Sequence, residues 1–326
     1  MRANAYLAAQ PLIETVPSED CVVCGGRSWR EVGQAQDYEY ATCSNVWTFR
    51  ACRQCGHVQM DPLPAPETLK IIYPSNYYSY QMEKSIHPIA RWAKHRLDRA
   101  KFRWILGRTR APIARYLDVG CGDGRYLQMM IEQGVDPPCA QGVELDHQAV
   151  LAARARGLNV VQCRIEDARG LEPGSFDLIT MFHVIEHVAR PEQVIANLRS
   201  LLRIGGLLAL ETPNFDCADA RRSGERFWGA YHTPRHWHLF TPSSLQRLLR
   251  SHGFILERQR FQTGHAFVLW TLHHWLKYGK ESSRLAEWCH PLKNVPLLAL
   301  ATSFDLLRIL LGRKTSAVLM VARRSS

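Results

Sequence analysis

The chain has 326 residues, of which 46% are hydrophobic, enough to fill the core of one full α/β domain and a smaller module. Its formal net charge of +11 suits a nucleic-acid partner, an anionic membrane or a plainly solvated basic face, and charge alone does not separate these. Four of its ten cysteines form two C-x-x-C pairs, which argues against a disulfide scaffold and for metal binding in a reducing compartment. Pro11, Glu14 and Pro17 interrupt the first residues before any leader-like apolar run, so the expected location is cytoplasmic.

The first predicted module spans 17–60. Cys21-Val22-Val23-Cys24-Gly25-Gly26 and Cys52-Arg53-Gln54-Cys55-Gly56-His57 are two C-x-x-C-G knuckles. Such spacing turns four thiolates toward one ion, and a structural Zn2+ held by Cys21, Cys24, Cys52 and Cys55 in a zinc-ribbon module is the expected result. Cys43 and His57 are the alternative ligands; two matched knuckles argue against a redox dithiol. Between the pairs, Asn45 to Arg50 has the pattern of a strand.

Asp61-Pro62-Leu63-Pro64-Ala65-Pro66 interrupts regular structure and marks a boundary. Residues 61–110 then read as a linker with an aromatic loop, Tyr73 to Tyr80, and a basic helix. Between Lys84 and Arg115, Arg91, Lys94, Arg96, Arg99, Lys101, Arg103, Arg108 and Arg110 face only Asp98 in opposition, while Ile89, Trp92, Leu97 and Trp104 supply apolar contacts.

From 111 to 326 short apolar runs alternate with helical patterns. Strands are expected at 115–119, 140–144, 159–163, 176–182, 206–211, 254–261 and 316–322, with helices starting at 125, 147, 191 and 242. This alternation predicts an α/β fold with a doubly wound parallel sheet. Residues 265–312 form an apolar helical insertion. His273, His274, Asp305 and Arg308 argue against a membrane span there. Core helices, a lid over an apolar substrate, and a helix in peripheral membrane contact are the three readings of that segment.

The chemistry concentrates at Leu117-Asp118-Val119-Gly120-Cys121-Gly122-Asp123-Gly124. A strand ending in close glycines brings backbone against a ligand, and the next helix offers free N–H groups. Glu144 ends the following strand, where a carboxylate accepts hydrogen bonds from ribose hydroxyls. The pair points to a nucleotide-like cofactor; the loop alone would not.

With Phe176-Asp177-Leu178-Ile179, Phe182-His183-Val184-Ile185-Glu186-His187-Val188 and Gly205-Gly206 in the same order, residues 114–261 resemble the class I S-adenosylmethionine-dependent methyltransferases. The resemblance implies their Rossmann-like, seven-stranded sheet and S-adenosyl-L-methionine as methyl donor. It implies that Asp118, Gly120 and Gly122 surround the methionine moiety and that Glu144 binds ribose. Glu166 and Asp167 are the candidates for the adenine edge, and Phe182 and His183 line the pocket near the transferred methyl. Arg203-Ile204 stands where relatives usually carry Lys-Pro.

Methyl transfer to a weakly acidic nucleophile asks for a base, and histidine suits neutral pH. His187 and His236 are the first candidates, with Glu186 beside them; His236 lies in Tyr231-His232-Thr233-Pro234-Arg235-His236-Trp237-His238. In that loop Arg235 reads either as an anion fork or as a buried brace, and Trp228, Tyr231 and Trp237 as pocket walls or packing.

Zinc knuckles, a Tyr-Pro loop and a methyltransferase core in this order resemble a bacterial group that includes sugar C-methyltransferases and enzymes of natural-product and surface-polysaccharide pathways. The sugar enzymes carry a further C-terminal domain for which this chain is too short, so their substrate is not carried over. The expected acceptor is a small organic, saccharide or lipid-linked molecule, methylated on oxygen or carbon. A nucleic-acid methyltransferase is the first rival; the absence of an Asn/Asp-Pro-Pro-aromatic segment after the fourth strand argues against acceptors that are base amino groups. A non-catalytic cofactor-binding scaffold is the second. Oligomeric state is not legible.

Overall fold

The computed structural model describes residues 3–18, 20–74, 88–107, 112–168, 170–222 and 226–326. Residues 75–80 of the aromatic loop, Lys84, Arg108 and Arg110 lie outside them. In chain order the main elements are β1 (Thr15–Val16), β2 (Trp29–Ala35), β3 (Trp47–Cys52), β4 (Val58–Asp61), β5 (Leu63–Pro64), α1 (Pro88–Leu106), β6 (Tyr116–Val119), α2 (Arg125–Ile131) and β7 (Ala140–Glu144). There follow α3 (His147–Ala155), β8 (Asn159–Gln162), β9 (Phe176–Phe182), α4 (Pro191–Leu201), β10 (Leu202–Pro213), β11 (His238–Leu239), α5 (Pro242–Ser251) and β12 (Phe254–Gln262). The chain ends with α6 (His265–His274), α7 (Ser283–Trp288), α8 (Val295–Leu310) and β13 (Ala317–Arg324).

Two compact units emerge, one comprising residues 1–77, 213–245 and 261–318, the other 78–212, 246–260 and 319–326. The second contains the expected α/β sheet. Its strand order is β12-β13-β10-β9-β6-β7-β8, and β8, β7, β6, β9 and β10 run parallel to one another. Central strands are buried on both faces, which is why β6 and β9 read as nearly continuous apolar runs. Phe102, Tyr116, Leu127, Met130, Val150 and Leu178 belong to the core that packs helices against this sheet.

Because the parallel strands all end on one side, the loops after β6, β7, β8 and β9 gather there, as expected of a ligand crevice in an open α/β sheet. Asp146 caps α3 by accepting from the Ala149 N–H at 2.7 Å, which fixes where the chain turns after Glu144.

The other unit holds a four-stranded sheet of order β11-β4-β3-β2. The strand pattern expected at 45–50 is β3. Strand β11 pairs antiparallel with β4 through His238–Gln59 and Leu239–Val58, so the histidine-rich segment shares a sheet with the cysteine module. Trp47, Phe49, Met60, Trp228, Tyr231 and Trp237 are buried together. The aromatic side chains of the 228–237 segment therefore serve packing: Tyr231 stacks on Phe49 with centroids 4.4 Å apart, and the Trp237 indole N–H donates to the Pro234 carbonyl at 2.9 Å.

Arg235 is a brace in this unit. Its Nη1 and Nη2 donate to the two oxygens of Asp37, each at 3.0 Å, both side chains are fully buried, and the guanidinium lies over the Tyr40 ring. A fork-to-fork pair satisfies a buried guanidinium that would otherwise be costly.

Candidate active site and cysteine cluster

The loop after β6 takes its shape from glycine. Gly120 has φ +73° and a Cβ there would come within 2.3 Å of Val184 Cγ2; Gly122 has φ +55° and nothing within 4 Å of a Cβ position. The first glycine closes the loop onto the segment after β9. The second leaves open space in which a ligand can lie directly against the backbone.

Glu144 ties this loop to the end of β7. Its Oε2 accepts from the Gly122 N–H at 2.9 Å, and Oε1 accepts from the N–H groups of Leu145 at 2.7 Å and Asp146 at 2.9 Å. Two donors saturate Oε1, while Oε2 keeps a lone pair for a further donor such as a ribose hydroxyl. Thus one carboxylate both sets the loop and offers an acceptor to what binds beside it.

Asp118 ends in the same place. Tyr116 hydroxyl meets Thr180 Oγ1 at 2.5 Å, and the Thr180 hydroxyl donates to Asp118 Oδ1 at 2.7 Å. Asp118 Oδ2 is buried without a hydrogen-bond partner among the described residues. Burial pushes this carboxyl up to about 7. An orphaned buried oxygen beside a glycine cradle fits a cofactor that brings its own cationic donor, as the ammonium of S-adenosylmethionine would.

Glu166 and Asp167 lie on the turn Ile165–Asp167 after β8, and Arg164 Nη2 stands 3.5 Å from Glu166 Oε1. Phe182 ends β9, meets Tyr126 edge-on with centroids 5.3 Å apart, and has Lys101 Nζ 4.7 Å from its ring centre. Its flat face is thus one wall of a small aromatic and cationic cluster.

His183 follows with φ +55°, a left-handed conformation that costs a side-chain-bearing residue. Its backbone N–H donates to the Glu211 carbonyl at 2.8 Å. Its ring faces two carboxylates, with Nδ1 3.2 Å from Glu186 Oε1 and Nε2 3.3 Å from Glu211 Oε1. Both partners accept, so the geometry selects the imidazolium, which has two N–H groups. Burial opposes that charge, and the carboxylates outweigh it, pushing His183 up to about 9. A histidine so held is not a neutral-pH base. Glu186 is fully buried and its other oxygen accepts from the Thr212 hydroxyl at 3.0 Å, which makes it a positioning group for His183.

Glu211 and Lys101 escaped the sequence reading. Lys101 Nζ sits 2.6 Å from Glu211 Oε2, and although burial opposes its charge, Lys101 holds the Glu211 carboxyl far below the usual carboxylate range. Beside them Asp98 receives Arg125 at 3.1 Å and the Tyr126 hydroxyl at 3.2 Å. Part of the basic helix therefore turns its charge inward, while Arg91, Arg96, Arg99 and Arg103 stay exposed.

The His183 value exceeds the 6.5 of an ordinary imidazole, so the native state holds this proton more tightly than the unfolded chain. Its stabilising contribution is complete below pH 6.5 and is lost as pH rises through about 9. Urea denaturation across that interval should show wild type losing stability faster than His183→Gln; parallel slopes would show that the ring is not held charged.

His187 closes the turn Ile185–His187, with its N–H donating to the Val184 carbonyl at 2.9 Å. His236 belongs to the other unit, where Nδ1 meets the Ala230 carbonyl at 2.8 Å. A carbonyl accepts only, so Nδ1 carries the proton and Nε2 is the basic atom of the neutral ring.

In the cysteine module the knuckles close through hydrogen bonds from Gly25 N–H to the Cys21 carbonyl at 2.7 Å and from Gly56 N–H to the Cys52 carbonyl at 2.9 Å. Sγ atoms of Cys21 and Cys55 stand 3.6 Å apart, as do those of Cys24 and Cys52, and all four lie within 4.8 Å of one another. Four convergent soft donors with no disulfide among them fit a tetrahedral thiolate-loving metal. Neither alternative ligand joins them: Cys43 is buried in the apolar core, and His57 Nε2 pairs with His238 Nδ1 at 3.1 Å.

The strand order, the glycine loop and the acidic end of β7 together define a class I S-adenosylmethionine-dependent methyltransferase. The family profile described as "Methyltransferase domain" matches residues 78–259, more than half of the chain, and the chain belongs to that family. It is similar to a ubiquinone biosynthesis O-methyltransferase of Xanthomonas campestris, 32% identical over 154 residues that cover 43% of this chain and 63% of the relative. A second protein of that name, from Thiobacillus denitrificans, is 31% identical over 128 residues, covering 37% of this chain and 53% of the relative. The chain thus spans less than two thirds of these relatives. Among solved structures, phosphoethanolamine N-methyltransferase 2 of Haemonchus contortus has a TM-score of 0.50 at 14% identity, with 86% of this chain and 63% of that chain covered, a likeness of fold.

Proposed function

We propose that this chain methylates a hydroxyl group of a small organic acceptor. The observation that carries the reading is the Asp118–Gly122–Glu144 constellation, in which one acidic oxygen is buried without a partner among the described residues and another retains a lone pair. S-adenosylmethionine, when bound, supplies an electrophilic methyl group on a sulfonium. Asp118 and the loop hold the amino-acid end, Glu144 the ribose, and Glu166 or Asp167 the adenine edge. Phe182 excludes water from the reacting centre, where orientation contributes most of the acceleration. His183 keeps its protons on both ring nitrogens, so removal of the acceptor proton falls to His187 or to Nε2 of His236.

Oxygen is favoured as the accepting atom because relatives similar to the shared region are named O-methyltransferases. Zn2+ on the four thiolates serves structure in this proposal, since a site closed by four sulfurs has no open position for substrate.

The direct test is transfer of labelled methyl from S-adenosylmethionine to catechols, polyols, sugar nucleotides and primary amines. Labelled ethers are expected from hydroxyl acceptors; products on nitrogen alone would overturn the reading. Alanine at His187 or His236 should lower turnover with cofactor affinity unchanged, and full rate in both variants would mean that neither is the base.

A further inference from the structure

Helix α8 is built inside out. Its charged residues face the protein: Asp305 is fully buried and accepts from the Gly264 N–H at 2.7 Å, and Arg308 Nη1 pairs with Asp219 at 2.8 Å and with Asp305 at 3.1 Å. The opposite side faces solvent and is apolar. Pro296, Ala299, Leu300, Ser303, Phe304 and Leu307 are exposed at i, i+3, i+4, i+7, i+8 and i+11, and Leu310 and Leu311 continue the stripe. At 100° per residue these positions fill an arc of roughly 140°, and Ser303 is its single polar side chain. Leu310 is 83% exposed and Leu300 66%. A soluble surface helix presents the reverse arrangement, and a continuous exposed apolar stripe marks an interaction surface.

Two features of the same helical segment indicate what covers it. Exposed Trp275 and Trp288 lie in the elements before α8, and tryptophan is the side chain best suited to the boundary between water and acyl chains. Between 265 and 314 there are seven Lys and Arg against three Asp and Glu, and Lys280, Arg284, Lys293 and Arg313 are exposed. Apolar stripe, aromatic anchors and basic flank together match an anionic lipid surface better than the like-charged surface of a second copy. No helix among the described residues is long and apolar enough to cross a membrane, so α8 would lie along the bilayer. We propose that the α6–α8 segment is a monotopic anchor that seats the Leu300–Phe304–Leu307 stripe in the headgroup region of an anionic membrane. The inference stands apart from the methyl-transfer reading, since it rests on no residue of that site.

Flotation of the full chain with vesicles tests it. Wild type should float with vesicles of equal parts phosphatidylglycerol and phosphatidylcholine and far less with phosphatidylcholine alone. Phe304→Ser and Leu310→Ser should each lower partitioning by about tenfold. Both positions are exposed, so an unchanged melting temperature confirms that the fold is kept. Lys280→Glu with Arg284→Glu should abolish the preference for the anionic vesicles. Wild type that stays with the soluble fraction, variants that float as well as wild type, or a dimer in sedimentation equilibrium that Phe304→Ser dissociates without any vesicle binding would each overturn the proposal.

Discussion

Glu144→Ala should weaken binding of S-adenosylmethionine by about 100-fold, equivalent to ~3 kcal/mol. The carboxylate receives three backbone N–H groups, and hydrogen bonds to a charged partner are worth roughly 1.5–3 kcal/mol each. Leu145 and Asp146 lie at the surface end of the turn and can regain water, so most of the loss falls on Gly122 and on the ribose. Without the Oε2 acceptor the Gly122 N–H loses its tether, and the open space beside that glycine loses its shape. Glu144→Gln is not a conservative control. An amide has one acceptor oxygen, so whichever way it turns, its NH2 faces an N–H on one side. It should therefore fall between alanine and wild type. Isothermal titration calorimetry measures both, and an alanine variant with wild-type affinity would remove Glu144 from the cofactor site.

The parts of this site that local chemistry determines were legible in the sequence. Glu144 lies 22 residues beyond Gly122, and one βαβ unit of known geometry brings the two together. The short apolar runs alternating with helical patterns likewise foretold the seven strands, because a strand covered by helices on both faces reads as apolar at its centre. What escaped was contact across long separations. Lys101 looked like one more cation on a solvated helix, and Glu211 like the polar end of a strand, yet they close a buried pair. Glu211, together with Glu186, in turn holds the charge on His183, which the sequence presented as a pocket-lining residue. Strand β11 is two residues long, too short for any periodicity, so its pairing with β4 was invisible. In α8 nearly every position is apolar, and such a helix does not announce which face is buried; Asp305 and Arg308 reveal it through partners at 219 and 264.

Metal analysis should find about one zinc per chain, and its removal should be the largest single perturbation of stability. A four-thiolate site contributes on the order of 10 kcal/mol of apparent binding free energy near neutral pH. Only part of that appears as lost stability, because β2, β3 and β4 retain a core that includes Trp47, Phe49 and Met60. Even a loss of about 4 kcal/mol lowers the melting temperature by roughly 6 °C for a protein of this size. Cys52→Ser should reproduce the effect of a chelator, since three sulfurs cannot complete the tetrahedron. The alternative chemistry has a different signature. A redox set would form Cys21–Cys24 or Cys52–Cys55 disulfides under mild oxidation and keep its fold, whereas zinc thiolates would release metal and become protease-sensitive near the knuckles. Protein that is metal-free as isolated and melts at the same temperature with and without chelator would rule out the structural zinc.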